Sequence, residues 1–186
     1  MRKVANILLI ACLVVVFTAC ESRTDRTDSG GVLLSITDFD GLPIALGVNS
    51  ALAGGGFVQV EEIRVANVAA NPTGDISDLM NVEMVSYEVT FSRADQGTRL
   101  PPKFTRGIFG VVPVGGVISY DDLPILGPDQ LLVPPLSDLL FEQGGTDSET
   151  GQSKIALNLS LRFFGRTLSG NAVETVPARF TIEFTP

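Results

Sequence analysis

Apolar and polar residues alternate along the segment Lys154-Ile155-Ala156-Leu157-Asn158-Leu159-Ser160-Leu161-Arg162-Phe163. Successive side chains of a β-strand point to opposite faces, so the apolar residues at odd numbers would share one face. Lys154, Asn158, Ser160 and Arg162 would share the other face, which we expect to meet solvent. This segment therefore predicts a long strand with one buried face.

The end of the chain repeats this alternation. One face of this segment would carry Phe180, Ile182 and Phe184. The other face would carry Arg179, Thr181 and Glu183. Residues 165–171 separate the two segments and are rich in glycine, serine and asparagine, which favour turns. The two segments therefore predict a C-terminal antiparallel hairpin.

Similar patterns upstream predict further strands. Val85, Tyr87, Val89 and Phe91 alternate with polar residues, so we expect these four side chains to face inward together. Residues 58–65 alternate as well, but their pattern shifts phase at the two adjacent glutamates, as a β-bulge would require. Both regions predict strands that bury one face.

The remaining regions contribute shorter elements. Residues 32–37 predict one strand and residues 104–119 one or two, with an edge or a kink at 107–116 because proline and paired glycines interrupt it. Residues 76–80 and 137–141 predict single helical turns. About seven or eight strands separated by proline and glycine are typical of two packed sheets. The sequence predicts an all-β fold, an antiparallel β-sandwich in residues 32–186, with a small β-barrel as the alternative.

The N-terminus carries the parts of a secretory signal peptide. Arg2 and Lys3 precede an apolar run over residues 4–17 in which Asn6 is the polar residue. A run of roughly 14 residues suits the apolar region of a signal peptide and is shorter than the about 20 residues that span a bilayer. Residues 1–19 are therefore predicted to be a signal peptide, and the remainder to be exported.

Cys20 follows the small residues Thr18 and Ala19, and this order resembles the lipobox of bacterial lipoproteins. The resemblance implies that Cys20 receives diacylglycerol, with palmitate among its acyl chains, and becomes the mature N-terminus. Phe17 stands where leucine is usual. Glu21 follows instead of the aspartate that directs retention in the inner membrane of many Gram-negative bacteria, which favours the outer membrane. The alternative is an ordinary secretory signal in which Cys20 has no role.

The segment after Cys20 has the composition of a flexible tether. Residues 21–31 are polar, carry both signs of charge and include no apolar side chain, so they would reach at most about 35 to 40 Å. Cleavage before Cys20 takes the 13 basic residues to 11 against 21 acidic ones, a net charge of about −10. This charge disfavours nucleic acids and anionic membrane surfaces. Membrane attachment is therefore expected through the N-terminal lipid.

The residue types used most often in catalysis are scarce in this chain. It has no histidine, and its two cysteines are Cys12, within the signal peptide, and Cys20. The exported domain therefore lacks the commonest general base and metal ligand, and it has no free thiol for a nucleophile or a disulfide. We expect a protein that is not an enzyme and needs no cofactor.

Pairs of carboxylates are the remaining candidates for a metal site. Asp38 and Asp40 lie two residues apart before a glycine, and Asp121 and Asp122 are adjacent. Oxygen ligands at loop tips suit Ca²⁺, although the third acid and the distant glutamate of an EF-hand are missing. These four aspartates are the calcium candidates, and the simpler interpretation is that they face water.

Two segments resemble a family of uncharacterised bacterial lipoproteins that end in an immunoglobulin-like domain. They are Tyr87-Glu88-Val89-Thr90-Phe91-Ser92-Arg93-Ala94-Asp95 and Phe163-Phe164-Gly165-Arg166-Thr167-Leu168-Ser169-Gly170-Asn171-Ala172-Val173. In the family, the first is a strand that leaves through an Arg-x-Asp turn, and the second is a strand, a glycine-led turn and a returning strand. Thr167 stands where aspartate is frequent. The resemblance implies an immunoglobulin-like sandwich and brings no activity with it.

These features predict a lipid-anchored, non-catalytic protein of the cell envelope that serves as a binding or structural module. Its partners would be the membrane, through the lipid, and an envelope protein or ligand of unknown identity. The loops 42–56 and 127–136 are apolar enough to be contact surfaces, or they fold back over the core. The alternatives are a carrier of apolar ligands, which needs a cavity lined by Phe and Leu, and a calcium-binding adhesion module.

Overall fold

Two β-sheets pack face to face in residues 31–186, the part of the chain that the computed structural model describes. Their strands are β1 Val32–Asp40, β2 Ala45–Gly47, β3 Val58–Ala69, β4 Val82–Arg93, β5 Phe104–Gly107, β6 Val111–Val112, β7 Val117–Leu126, β8 Ile155–Thr167, β9 Ala172–Glu174 and β10 Ala178–Thr185. The smaller sheet has the order β1-β3-β7. The larger sheet has the order β2-β10-β8-β4-β5, with β6 beside β4 and β9 beside β8. One of the two sheets curls into a half-barrel. The prediction of an all-β sandwich is confirmed, and three short strands raise the count above eight.

Strand β8 lies at the centre of the larger sheet, between β10 and β4. Its five apolar side chains from Ile155 to Phe163 are fully buried, as the alternation predicts. Burying one such side chain contributes roughly 1.5 to 3 kcal/mol. The ring of Phe163 lies 5.7 Å from that of Tyr87 and 5.9 Å from that of Tyr120, which belong to β4 and β7. Aromatic side chains thus fill the space between the two sheets.

The predicted C-terminal hairpin is confirmed, with a returning arm in two pieces. β10 pairs antiparallel with residues 155–161 of β8, and β9 pairs with residues 164–166. Between the two pieces, Thr175 Oγ1 accepts a hydrogen bond from the backbone N–H of Phe163 at 3.0 Å. Gly165, assigned to the turn from sequence, instead lies within β8, so the turn is shorter than predicted.

Strand β4 contains a bulge that the alternation pattern concealed. Its register against β8 shifts between Met84 and Ser86, which leaves Val85 as the extra residue. Val85 is consequently 54% exposed, and Met84 takes the inward position at 1% exposure. The prediction that Val85 faces inward was therefore wrong, whereas Tyr87, Val89 and Phe91 do face the core.

The phase shift predicted in β3 is confirmed. Val58 and Val60 are buried before the two glutamates, and Ile63 and Val65 are buried after them. The register against β7 nevertheless continues unchanged across this point, from Val60 opposite Leu123 to Glu62 opposite Asp121. No residue is inserted between β3 and β7 at the glutamates, and the register shift of this pair lies earlier, between Val58 and Gln59. Both strands change phase together, and Asp122 adopts a φ of 51° there.

Two short helices and three 3₁₀ turns complete the fold. The helices are α1 Val48–Ala53 and α2 Pro128–Leu131, and the 3₁₀ turns span Asp78–Met80, Leu136–Leu139 and Phe141–Gln143. Within residues 31–186, none of the helices has the length and apolar character that crossing a bilayer requires. The predicted helical turns near residues 76–80 and 137–141 are thus found as 3₁₀ turns.

The two apolar loops fold back over the core for part of their length. Val48, in the first loop, and Leu131 and Leu136, in the second, are fully buried. Ile44 and Leu132 remain 82% and 56% exposed. These segments close the end of the sandwich opposite Val32.

Candidate functional site

The residue predicted to carry lipid, Cys20, lies outside the described residues, and so does the segment 21–30. Its modification stays a prediction. The described domain begins at Gly31, whose carbonyl accepts a hydrogen bond from the backbone N–H of Ala70 at 2.9 Å.

The four calcium candidates lie on the outer strands of the smaller sheet. Asp38 and Asp40 are on β1, Asp121 and Asp122 are on β7, and all four are exposed. Strand β3 separates the two pairs. Across residues 31–186, no group of three or more acidic side chains is close enough to hold a metal ion.

The strand between these aspartates carries a cation. Arg64 donates hydrogen bonds to both carboxylate oxygens of Glu62, at 2.9 and 3.1 Å. The hydrogen bonds to Glu62 raise the pKa of Arg64, and the charges of Asp38 and Asp40 add to this effect. Glu62, Asp38 and Asp40 therefore all lie near an arginine.

A buried ion cluster, which sequence reasoning missed, lies where β4 ends. The Arg93 side chain is 3% exposed. Its guanidinium donates to the two carboxylate oxygens of Asp95 at 2.5 and 2.9 Å, and to Asp147 Oδ2 at 2.8 Å. The Asp147 side chain is fully buried. The Arg-x-Asp turn and the acidic segment at 147–149 were both visible in the sequence, but 54 residues separate Arg93 from Asp147.

The ion cluster keeps its carboxylates charged. Burial opposes ionisation of Asp147, but hydrogen bonds from Arg93, Thr150 and the backbone of Glu149 outweigh it and lower the pKa to about 2. Burial is likewise outweighed at Asp95 and Asp138, whose pKa values are lowered by hydrogen bonds from Arg93 and from Ser148, respectively. These three carboxylates are therefore charged at neutral pH and form ion pairs with Arg93 and Arg99.

The second half of the ion cluster fastens a loop to the sandwich. Arg99 donates to Asp138 Oδ2 at 2.5 Å and also to the Ser148 hydroxyl. Glu149 accepts hydrogen bonds from the backbone N–H groups of Thr98 and Arg99, at 2.8 and 3.1 Å. The ion cluster thereby joins the segment after β4 to the segment before β8.

A surface depression of about 650 Å³ lies on the outer face of the larger sheet. We call it the polar groove, and its polar lining residues are Thr90, Ser92, Asn158, Ser160, Arg162, Arg179 and Thr181. The strand register sets them in cross-strand rows: Ser160 lies between Thr90 and Arg179, and Asn158 lies between Ser92 and Thr181. The hydroxyl and amide side chains are short, which leaves the space between the longer arginines open.

The polar groove is rich in hydrogen-bond donors. Arg162 forms an ion pair of 3.3 Å with Glu174. Arg179 is exposed, and among residues 31–186 no carboxylate lies within ion-pair distance of it. Thr181 Oγ1 donates to Asn158 Oδ1 at 2.7 Å, which leaves the Asn158 amide N–H groups to face the groove or solvent. Guanidinium, hydroxyl and amide groups of this kind suit a hydroxyl-rich or anionic ligand.

Comparisons with known proteins do not extend this picture. The sequence matches no protein-family model, and no curated protein is significantly similar to it.

Proposed function

We propose that this chain is a lipid-anchored, non-catalytic binding module of the cell envelope, as its resemblance to bacterial lipoproteins with an immunoglobulin-like domain implies. The observation that carries the proposal is the position of Cys20, directly after a signal-like apolar run and small residues. Polar residues then lead to the first strand, which begins at Val32. The order of signal, cysteine, tether and folded domain is that of a protein held at a membrane by its end.

The polar groove is the binding surface that we assign to this module. It offers donors on a rigid sheet face, and Arg179 brings a positive charge to a protein whose net charge is strongly negative. A carrier of apolar ligands would need a cavity in the core, where the ring of Tyr87 instead lies 5.7 Å from that of Phe163 and 6.2 Å from that of Phe104. This aromatic packing favours a surface site over an internal one.

Mass spectrometry of the mature N-terminus tests the anchor. We expect the protein from its native envelope to begin at Cys20 with a diacylglycerol thioether, and to fractionate with membranes, the outer one where two are present. The Cys20→Ser variant should lack the lipid and should not be processed at this position. A mature N-terminus elsewhere, or an unmodified Cys20, would contradict the proposal.

A further inference from the structure

Exposed apolar side chains gather at the end of the sandwich where the chain enters it. Strand β1 begins there, with Val32 opposite Ala69, the last residue of β3. The same end carries the loops 70–81 and 113–116 and the turn 168–171, because β3 leads into β4, β6 into β7 and β8 into β9. We call this the tether end, and its exposed apolar residues are Leu33, Val68, Ile76, Leu79, Val117 and Leu168.

The tether end has more exposed apolar side chains than isolated surface residues would account for. Ile76, Leu79 and Leu168 project from loops and are 61%, 57% and 50% exposed. Leu33 and Val68, which are register partners on the outer face of the smaller sheet, are 45% and 48% exposed. Single exposed apolar residues are common, whereas several at one end of a domain mark an interaction surface.

The loops that present these side chains are held by hydrogen bonds. Asn67, which is fully buried, donates from its amide to the carbonyls of Met80 and Val112, both at 3.0 Å. The backbone N–H of Leu168 donates to the carbonyl of Asn81 at 2.9 Å, and that of Ser169 donates to Leu79 at 3.1 Å. The apolar surface is therefore built into the fold.

We propose that the tether end rests on the bilayer and buries these side chains in its interfacial region. This inference depends on the proposed lipid anchor at Cys20. Residues 21–31 would reach at most about 35 to 40 Å, so the tether end is the part of the domain that the anchor keeps nearest to lipid. A short linker raises the effective concentration to about millimolar, at which a weak apolar contact is enough to dock the domain.

The charged residues beside the apolar surface of the tether end indicate which lipid headgroups it would accept. Asp75 and Asp78 are exposed in the loop that carries Ile76 and Leu79. Two carboxylates would be repelled by anionic headgroups, so the surface fits a bilayer of zwitterionic lipids. With the tether end docked, the strands would run roughly perpendicular to the plane of the membrane. The polar groove would then lie about 26 Å above the tether end, because Thr90 follows Val82 by eight residues along β4.

The chain has no tryptophan, so a single introduced tryptophan reports on its own position. We would reconstitute the lipidated Leu79→Trp variant in phosphatidylcholine vesicles that contain brominated acyl chains. The matched control is Ile44→Trp, which is 82% exposed at the opposite end and lies beside β10. We expect at least twofold stronger quenching at position 79 than at position 44, together with a blue-shifted emission. Leu168→Trp should behave like Leu79→Trp.

The outcomes separate the docking surface from the anchor. If the protein binds the vesicles but quenching is equal at positions 79 and 44, the proposed docking surface is contradicted and the proposed lipid anchor is not. Protein that does not float with the vesicles would overturn both. A blue shift at position 79 that depends on protein concentration without lipid would show that a second copy covers the surface, and would also overturn the proposal. Phosphatidylglycerol at low salt should reduce the quenching at position 79 about twofold, and added salt should restore it.

Discussion

Two tyrosines between the sheets, Tyr87 buried and Tyr120 half-buried, differ in the bonding of their hydroxyl groups. Tyr87, on β4, donates from its hydroxyl to the carbonyl of Pro124, on β7, at 2.6 Å, so this bond joins the two sheets. Tyr120 also has a buried hydroxyl, but within the described chain this hydroxyl has no hydrogen-bond partner. Burial raises the pKa of both phenols to about 12, so both are neutral donors at physiological pH. Only the first contributes a bond.

The substitution Tyr87→Phe should lower the free energy of unfolding by about 1 to 2 kcal/mol, because it leaves the partly buried Pro124 carbonyl without this donor. Tyr120→Phe is the matched control. It removes an unpartnered polar atom and should be neutral or slightly stabilising. Urea denaturation of both variants measures the difference. Equal losses would show that the hydroxyl of Tyr87 contributes no more than that of Tyr120.

At the scale of elements, the contact between β4 and β8 depends on a bulge and a glycine. The bulge turns Val85 outward. Gly165 of β8 lies opposite Met84, the residue directly before the bulge. A Cβ atom at Gly165 would lie 2.6 Å from Val82 Cγ1 and 2.9 Å from the Glu83 carbonyl oxygen. The sequence suggested a turn at this glycine, whereas its role is to let the backbone of β4 approach.

We therefore expect Gly165→Ala to reduce the free energy of unfolding by about 1 to 3 kcal/mol through overpacking. Gly107→Ala provides a control on the opposite side of β4, because the nearest atom to a Cβ there is the Val85 carbonyl oxygen at 3.9 Å. That variant should change stability little. A thermal unfolding comparison distinguishes the two, and similar midpoints would contradict the close approach at Gly165.

The polar groove on the outer face of the larger sheet leads to a prediction about ligand binding. If the polar groove binds an anionic ligand, Arg179→Ala should weaken its affinity for a short oligogalacturonate about 10-fold, since a hydrogen bond to a charged group is lost. Arg166→Ala, an exposed arginine of β8 outside the groove, should leave the affinity unchanged. Titration calorimetry measures both. Equal weakening would indicate attraction by overall charge, and absence of binding would contradict a site for this ligand class.

At the scale of the whole molecule, the ion cluster links segments that are distant in the chain. Asp147 has a pKa of about 2 in the folded protein, against an ordinary value of 3.8. Its contribution to stability is present above about pH 4 and is lost as the pH falls through about 2. The size of this contribution is about 2 kcal/mol, because one unit of pKa corresponds to about 1.4 kcal/mol.

Acid unfolding of Asp147→Asn tests this contribution. The variant should be less stable than the parent protein at pH 7, and its stability should fall less steeply between pH 4 and pH 2. Asp95 and Asp138 also have lowered pKa values, so part of the pH dependence should remain. Asp121→Asn, at an exposed position of β7, is the matched control for the same change of side chain. A variant with an unchanged slope would show that Asp147 does not contribute to it.

The sequence by itself determined the properties that are local or additive. These include the negative charge, the lack of histidine and the alternation that places β8, β10 and most of β4 with their apolar faces inward. The phase shift in β3 was also readable. Such features can be read from the sequence because the side chains of a strand alternate with a period of two residues. The lipid on Cys20 stays a prediction from the same kind of local pattern.

Only the tertiary structure decided which distant residues meet. The bulge at Val85, the contact of Arg93 with Asp147 and the rows of the polar groove all depend on strand register. The register is set by the packing of two sheets, and a one-residue shift would turn every side chain to the other face. The gathering of Ile76, Leu79 and Leu168 at the tether end has the same origin, because two connections that are distant in the chain meet there.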